Sequence, residues 1–303
     1  MQLQIHHETT YRYSEPVKRS VQSLRLTPRH DASQRTVNWA IHAPGRQHAQ
    51  IDAHGNTVHL LTYDEPHREF RIAVSGLVET GTLDGPLPLD PRGLSPLTYL
   101  AATPLTRPDE AITTWAHALG LEQGDREAAL LRLTNAVYDQ IEYTPGATEV
   151  SDSAVQAFER RKGVCQDQSH VFIACCRASG IPARYVSGYF LVDGKEEVAS
   201  HAWVDAWLGD NRGWLGIDIT HRSLAGPQHL RLAVGRDYLE ACPVRGVRRG
   251  GGEEEMKVAV TIRNGPAMST GASGNSNYPH PPQTQPSSMA MAHQASAQQQ
   301  QQQ

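Results

Sequence analysis

Alternation of apolar and polar positions dominates the first eighty or so residues. "MQLQIHHETTYRY" alternates from its opening, with Leu3 and Ile5 on one face. "RTVNWAIHA" sets Val37, Trp39 and Ile41 at period two, and "HREFRIAVSGLVET" does the same with Phe70, Ile72 and Val74. Turn signals in "TPRHD", "APGR" and "DAHGN" separate these runs. Short strands at this spacing predict antiparallel sheets, and hence a β-rich N-terminal domain over 1–80. The stretch "GTLDGPLPLDPRGLSPLTYL" holds four prolines and three glycines in twenty residues, which reads as a linker over 81–107.

The period then lengthens. "DEAITTWAHALG" and "DREAALLRLTNAVYDQI" carry apolar residues at helical spacing, with Leu130, Leu133 and Val137 at i, i+3 and i+7. "SDSAVQAFERRKG" opens on good N-caps and is predicted to end at Gly163. A further helix is predicted from Cys165 to Gly180, stopped by Gly180 and Pro182. Period two returns in "PARYVSGYFLV", "HAWVDAWLG", "GWLGIDIT" and, later, "MKVAVTIR". Val258, Val260 and Ile262 share one face of the last run, which is expected to pair with the N-terminal sheet. A second domain is thus read over 108–263. From 264 to 303 Ser, Pro, Gly and Gln replace branched apolar residues. Such a segment cannot bury enough surface to offset its ordering entropy, so a disordered tail is expected. The fold class is α+β.

Composition narrows the classes. The chain has 303 residues, enough for two domains. Its apolar fraction of 39% suits a packed core, and its mean hydropathy is −0.50. A net charge of −4 and a pI near 6.4 lack the basic field of a nucleic-acid binder. No apolar run approaches the roughly 20 residues of a membrane span. The opening residues lack a basic stretch followed by an apolar one, so no secretory signal is read and the cytoplasm is the expected compartment. Four unevenly spaced cysteines then read as thiols rather than a disulfide framework.

Three of those cysteines fall within twelve positions, Cys165 to Cys176. Cys165 follows "RRKGV" and opens the predicted helix, where unpaired N–H groups and the helix dipole favour a thiolate. Cys175 and Cys176 share their stretch with Val171, Phe172, Ile173 and Ala174 and read as buried small residues. A cysteine nucleophile needs a base, and the base needs an orienting group. In "HAWVDAWLG", His201, Trp203, Asp205 and Trp207 lie on one face; Ala202, Val204, Ala206 and Leu208 form the apolar face opposite. "GDNR" reads as a four-residue hairpin loop that pairs Leu208 with Gly213. Asp218 then falls opposite Trp203, one diagonal step from His201 and roughly 7–8 Å away at the backbone.

"GVCQDQSHVFIACCRASGIPARYVSGY", "SHAWVDAWL" and "GWLGIDITH" resemble, in order, the three catalytic motifs of the transglutaminase-like superfamily. "HETTYRYSEPVKRSVQSLRLTPR", "DAHGNTVHLLTYDEP" and "VGRDYLEACPVRGV" resemble its bacterial N-terminal region. The resemblance covers residues 1–263. It implies a papain-like α+β core with Cys165 as nucleophile, His201 as base and Asp218 as its orienter. One departure is visible: the family usually continues its Asp with Pro-Thr-Asn, whereas this chain has Ile219, Thr220 and His221.

The implied chemistry is acyl transfer at an amide carbonyl through a Cys165 thioester, on a protein or peptide substrate. Water as acceptor gives hydrolysis or deamidation; an amine gives a crosslink. Helix-start N–H groups are candidates for holding the oxyanion. Trp203 and Gln166 are candidate substrate contacts, although tryptophans here more often pack, and Gln166 with Asp167 is expected to cap or line the helix start. In "GRDY", an Arg–Asp contact is expected to hold a turn. No cofactor or metal is expected, since "HH" at 6–7 and the other histidines show no ligand spacing. A non-catalytic binding module of the same fold is the alternative. A redox-sensing thiol is weaker, with no C-x-x-C and no resolving partner.

Overall fold

The computed structural model describes residues 1–265 except 92, 193, 195, 196 and 199, so residues 266–303, most of the expected tail, lie outside the described residues. The N-terminal part forms β1 (Gln2–Leu24), β2 (Gln34–His42), β3 (Arg46–Ile51), β4 (Thr57–Tyr63) and β5 (His67–Thr80). A 3₁₀ turn (Pro96–Leu100) leads to α1 (Glu110–Ala118), α2 (Arg126–Gln140), β6 (Glu142–Tyr143), α3 (Ala154–Arg160), β7 (Lys162–Gly163) and α4 (Cys165–Ala178). The remainder is β8 (Ala183–Phe190), β9 (Glu197–Val198), β10 (Ser200–Trp207), β11 (Trp214–Asp218), β12 (Ser223–Leu224), β13 (His229–Gly235), α5 (Tyr238–Ala241), β14 (Val244–Gly250) and β15 (Glu254–Asn264).

The first sheet is built on β1. Its first half pairs with β5 on one side and β15 on the other; its second half pairs with β4 and β14. The C-terminal strand therefore returns to the N-terminal sheet, and Val258, Val260 and Ile262 bury the shared face as expected. Leu3, Ile5, Tyr11, Tyr13, Phe70, Ile72 and Val74 are buried too. Val37 departs from its predicted face. A bulge between Thr36 and Asn38 makes it the extra residue of β2 and leaves it 45% exposed.

The second sheet has the order β12-β11-β10-β8-β13. One face packs on α4, which is buried along almost its whole length among α1, α2, α3 and the sheet. That face carries Ala202, Val204, Ala206 and Leu208, the predicted apolar set, together with Leu215 and Ile217 of β11. The opposite face is not solvent-facing. Trp203 and Asp205 are fully buried there, because the N-terminal unit covers it. Asp205 binds both Arg184 (2.9 Å) and Arg231 (2.6 Å).

The turns of the first unit grip the second. Asn56, in "DAHGN", donates to Val234 O (2.8 Å) and accepts from Val234 N (2.9 Å). Arg29 N–H, in "TPRHD", donates to Arg231 O (3.0 Å). The Pro/Gly-rich stretch also packs inward. Leu87 exchanges two backbone hydrogen bonds with Trp214, and buried Tyr99 meets Trp214 edge-on at 5.4 Å. Two local expectations change. The helix before Cys165 ends at Arg160 and is capped by Arg161 in the left-handed conformation (φ 55°), while Gly163 joins β7. In "GRDY", Arg236 pairs with Glu240, and Asp237 instead caps α5 by accepting from Glu240 N–H (3.2 Å). Among the described residues no helix is long and apolar enough to cross a membrane.

Candidate active site

The start of α4 is set by a glycine and a carboxylate. Asp167 folds back so that its Oδ2 accepts from Val164 N–H (2.7 Å) and from the Thr148 hydroxyl (2.7 Å). Gly163 makes the space, since a Cβ there would lie 2.5 Å from Asp167 Cβ. Burial raises the Asp167 pKa to about 6, even though both hydrogen bonds act against it. Cys165 occupies the first helical position and is 3% exposed. Cys175 and Cys176 lie deep in the core, where burial pushes their thiols up.

His201 is the second residue of β10. The Cys165 side chain is one of its hydrogen-bond partners. Its Nε2 lies 2.8 Å from Asp218 Oδ2, so Nδ1 is the nitrogen left for the sulfur. The hairpin has the predicted register: Trp207 pairs with Trp214, Val204 with Ile217, and Leu208 N–H donates to Gly213 O (2.9 Å). That register places Asp218 beside His201. Burial lowers the His201 pKa, but the Asp218 charge and hydrogen bond, with the Cys165 contact, outweigh it and push the imidazole up to about 10. Burial raises Asp218, yet His201 and the hydrogen bonds from His221 and His229 hold its carboxyl far below the usual range. The three predicted residues therefore form one chain of contacts, sulfur to imidazole to carboxylate.

Two more imidazoles join it. His221 Nδ1 is 2.8 Å from Asp218 Oδ2, and its backbone N–H donates to Oδ1 (3.2 Å). His229 Nδ1 accepts from Gly226 N–H (3.1 Å), so its proton sits on Nε2 and is donated to Asp218 Oδ2 (2.9 Å). Phe190 packs against all three rings, 4.2 Å from His221, 4.6 Å from His229 and 5.5 Å from His201. Thr220 donates to Gln168 Oε1 (2.7 Å), tying the turn after Asp218 to α4. Tyr143 lies close enough to Cys165, Asp167 and Asp218 that their charges add to the effect of burial in raising its hydroxyl pKa. His221 could have been suspected from its place three residues after Asp218. His229 and Tyr143 had no local signal.

The two candidate substrate contacts are both buried. Trp203 is 0% exposed and stacks on His201 at 6.0 Å, forming a wall behind the ring. Gln166 is 2% exposed, and its Nε2 donates to Val150 O (3.1 Å). Among the described residues, His201, Asp218 and His221 form a group whose ligand atoms all lie within 4.8 Å of one another, close enough to hold a metal ion.

Comparison with known proteins matches two segments of the chain. Residues 3–79 match the bacterial transglutaminase-like N-terminal region, and residues 113–219 match the transglutaminase-like superfamily. An uncharacterised protein of Mycobacterium leprae is 31% identical over 282 residues, covering 86% of this chain and 98% of its own. A protein-glutamine gamma-glutamyltransferase of Pseudomonas aeruginosa is 31% identical over 143 residues, 41% of this chain and 20% of its own. A solved structure from Cytophaga hutchinsonii, described as a candidate cysteine protease, aligns with a TM-score of 0.68 at 22% identity, covering 88% of this chain and 92% of that one.

Proposed function

Since the chain belongs to the transglutaminase-like superfamily and carries its bacterial N-terminal region, we propose that it performs acyl transfer at an amide carbonyl through a Cys165 thioester. The observation that carries this reading is the contact chain Cys165–His201–Asp218 at the start of a buried helix. The Asp218 carboxylate stabilises the His201 imidazolium, the form produced when the thiol proton passes to Nδ1 and the sulfur becomes the nucleophile. The thiolate attacks the carbonyl carbon of a glutamine side chain or a peptide bond. The oxygen becomes negative and is held by N–H groups of the first turn of α4. His201 then gives its Nδ1 proton to the leaving amine, the C–N bond breaks, and a thioester remains. An acceptor gives its proton back to His201, attacks the thioester and releases the sulfur. Asp218 keeps Nε2 occupied throughout, so it is the Nδ1 position that exchanges protons.

Water is the acceptor we favour, which makes hydrolysis or deamidation of a peptide or protein the leading activity, ahead of crosslinking. Mass spectrometry of glutamine-containing peptides incubated with the protein and a labelled amine separates the outcomes. Conversion of amide to acid or chain cleavage is expected, with amine incorporation as the transferase result. The same products formed undiminished by Cys165→Ala would refute the reading.

A further inference from the structure

Asp218 Oδ2 is over-subscribed. Three ring nitrogens surround it, His201 Nε2 at 2.8 Å, His221 Nδ1 at 2.8 Å and His229 Nε2 at 2.9 Å, while Oδ1 receives the His221 backbone N–H. A carboxylate has about four lone-pair sites, two on each oxygen, so three N–H groups compete for two of them. A cation bound to that oxygen in place of two hydrogens relieves the competition. We propose that His201 Nε2, Asp218 Oδ2 and His221 Nδ1 form a site for a divalent transition ion of zinc type, and that filling it switches the thiol chemistry off.

The donor set fits this ion class. Two imidazoles and a carboxylate suit Zn²⁺, whereas Mg²⁺ and Ca²⁺ prefer all-oxygen shells. Zinc–nitrogen bonds of about 2.0–2.1 Å in a tetrahedron separate ligand atoms by about 3.3 Å, so each of these nitrogens needs to move about half an ångström farther from Asp218 Oδ2, while the two nitrogens already lie within 4.8 Å of one another. His229 supplies an outer support: its Nε2–H stays on Asp218 and orients the carboxylate. Phe190 covers the cluster with an apolar ring. His221, with a side chain 38% exposed, gives solvent access. Coordination uses ring lone pairs, so the His221 proton moves to its outward Nε2, the His201 Nε2 proton is released to solvent, and His201 keeps a proton only on Nδ1. A metal-bound His201 cannot give up that remaining proton without becoming an imidazolate, so it can no longer serve the leaving amine.

The inhibitory consequence rests on the acyl-transfer reading; the binding site does not. Binding is therefore measured first on the full-length Cys165→Ala protein, titrated calorimetrically with zinc chloride. One ion per chain is expected, unaffected by excess Mg²⁺. Adding His221→Asn, whose amide can still donate to Asp218 but which ligates zinc poorly, is expected to weaken binding at least tenfold. Cobalt(II) should show d–d absorption without a thiolate charge-transfer band in both wild-type and Cys165→Ala proteins. No binding by Cys165→Ala, unchanged affinity with His221→Asn, or a thiolate band in the wild type would each overturn the site. If the wild type acts on peptides, zinc should stop it and a chelator restore it. Undiminished activity with the site filled would overturn the switch. A wild type that binds zinc but acts on no peptide leaves the site standing and removes the acyl-transfer reading instead.

Discussion

Asp167 lies two residues from the candidate nucleophile and carries a buried carboxyl whose pKa, about 6, stands above its ordinary 3.8. The difference is about 2 pKa units, and at 1.36 kcal/mol per unit the folded protein bears a cost of about 3 kcal/mol once this group is ionised. The sign follows from the direction of the shift. Below about pH 4 the carboxyl is neutral folded and unfolded, and contributes no difference. Between about pH 4 and 6 the folded state keeps a proton that the unfolded state has lost, so stability falls as pH rises. Above pH 6 the cost is constant. Asp167→Asn removes the charge and keeps an oxygen for Val164 N–H and the Thr148 hydroxyl, while Oδ1, buried without a hydrogen-bond partner, becomes an amide instead. The buried amide N–H2 lacks an acceptor and adds a cost that does not vary with pH, so the variant's stability relative to wild type should rise by about 3 kcal/mol between pH 4 and pH 8. Urea unfolding of both proteins across that range measures it. A difference that does not vary with pH, or that grows on acidification, would show that the carboxylate is compensated by something other than these two hydrogen bonds.

Other substitutions probe neighbouring contacts. Gly163→Ala drives a Cβ into Asp167; it should cost about 1–3 kcal/mol and at least tenfold in activity, and pairing it with Asp167→Ala should cost less than the sum of the two. A fully additive double mutant would contradict the steric account. Asp205→Ala strands the buried Arg184 and Arg231 guanidinium groups, for an expected loss of about 3–5 kcal/mol in chemical denaturation; a loss under about 1 kcal/mol would mean both arginines find other partners. Asn56→Ala breaks the two-way hydrogen bond to Val234, and calorimetry should register a loss of about 2–4 kcal/mol. Asp218→Asn should cut turnover by about 10³–10⁴, since it removes the charge that sustains the His201 imidazolium; retention of near-normal turnover would remove Asp218 from the proposed mechanism.

Much of the architecture was written locally. Alternation in β1, β5 and β15, the helical spacing of Leu130, Leu133 and Val137, and the cap signals are short-range properties, and the structure follows them. The β10–β11 register is local too: a four-residue loop leaves little freedom in how Leu208 meets Gly213, so the placement of Asp218 beside His201 could be worked out from the chain. Val37 escaped because a bulge inserts one residue without disturbing the alternation on either side.

What only the tertiary structure decided is which distant groups share one small volume. His229 reaches Asp218 from a strand that pairs across the sheet with β8, and Tyr143 comes from β6, the short strand after α2. The face of β10 opposite its apolar set gave no sign of what would cover it, yet the N-terminal unit does, and the Pro/Gly-rich stretch closes over Trp214. Periodicity reports only which face of an element is buried by its own repeating pattern. It carries no record of a second surface arriving from elsewhere in the chain, where single hydrogen bonds and charge contacts between residues far apart in sequence set the environment of the site.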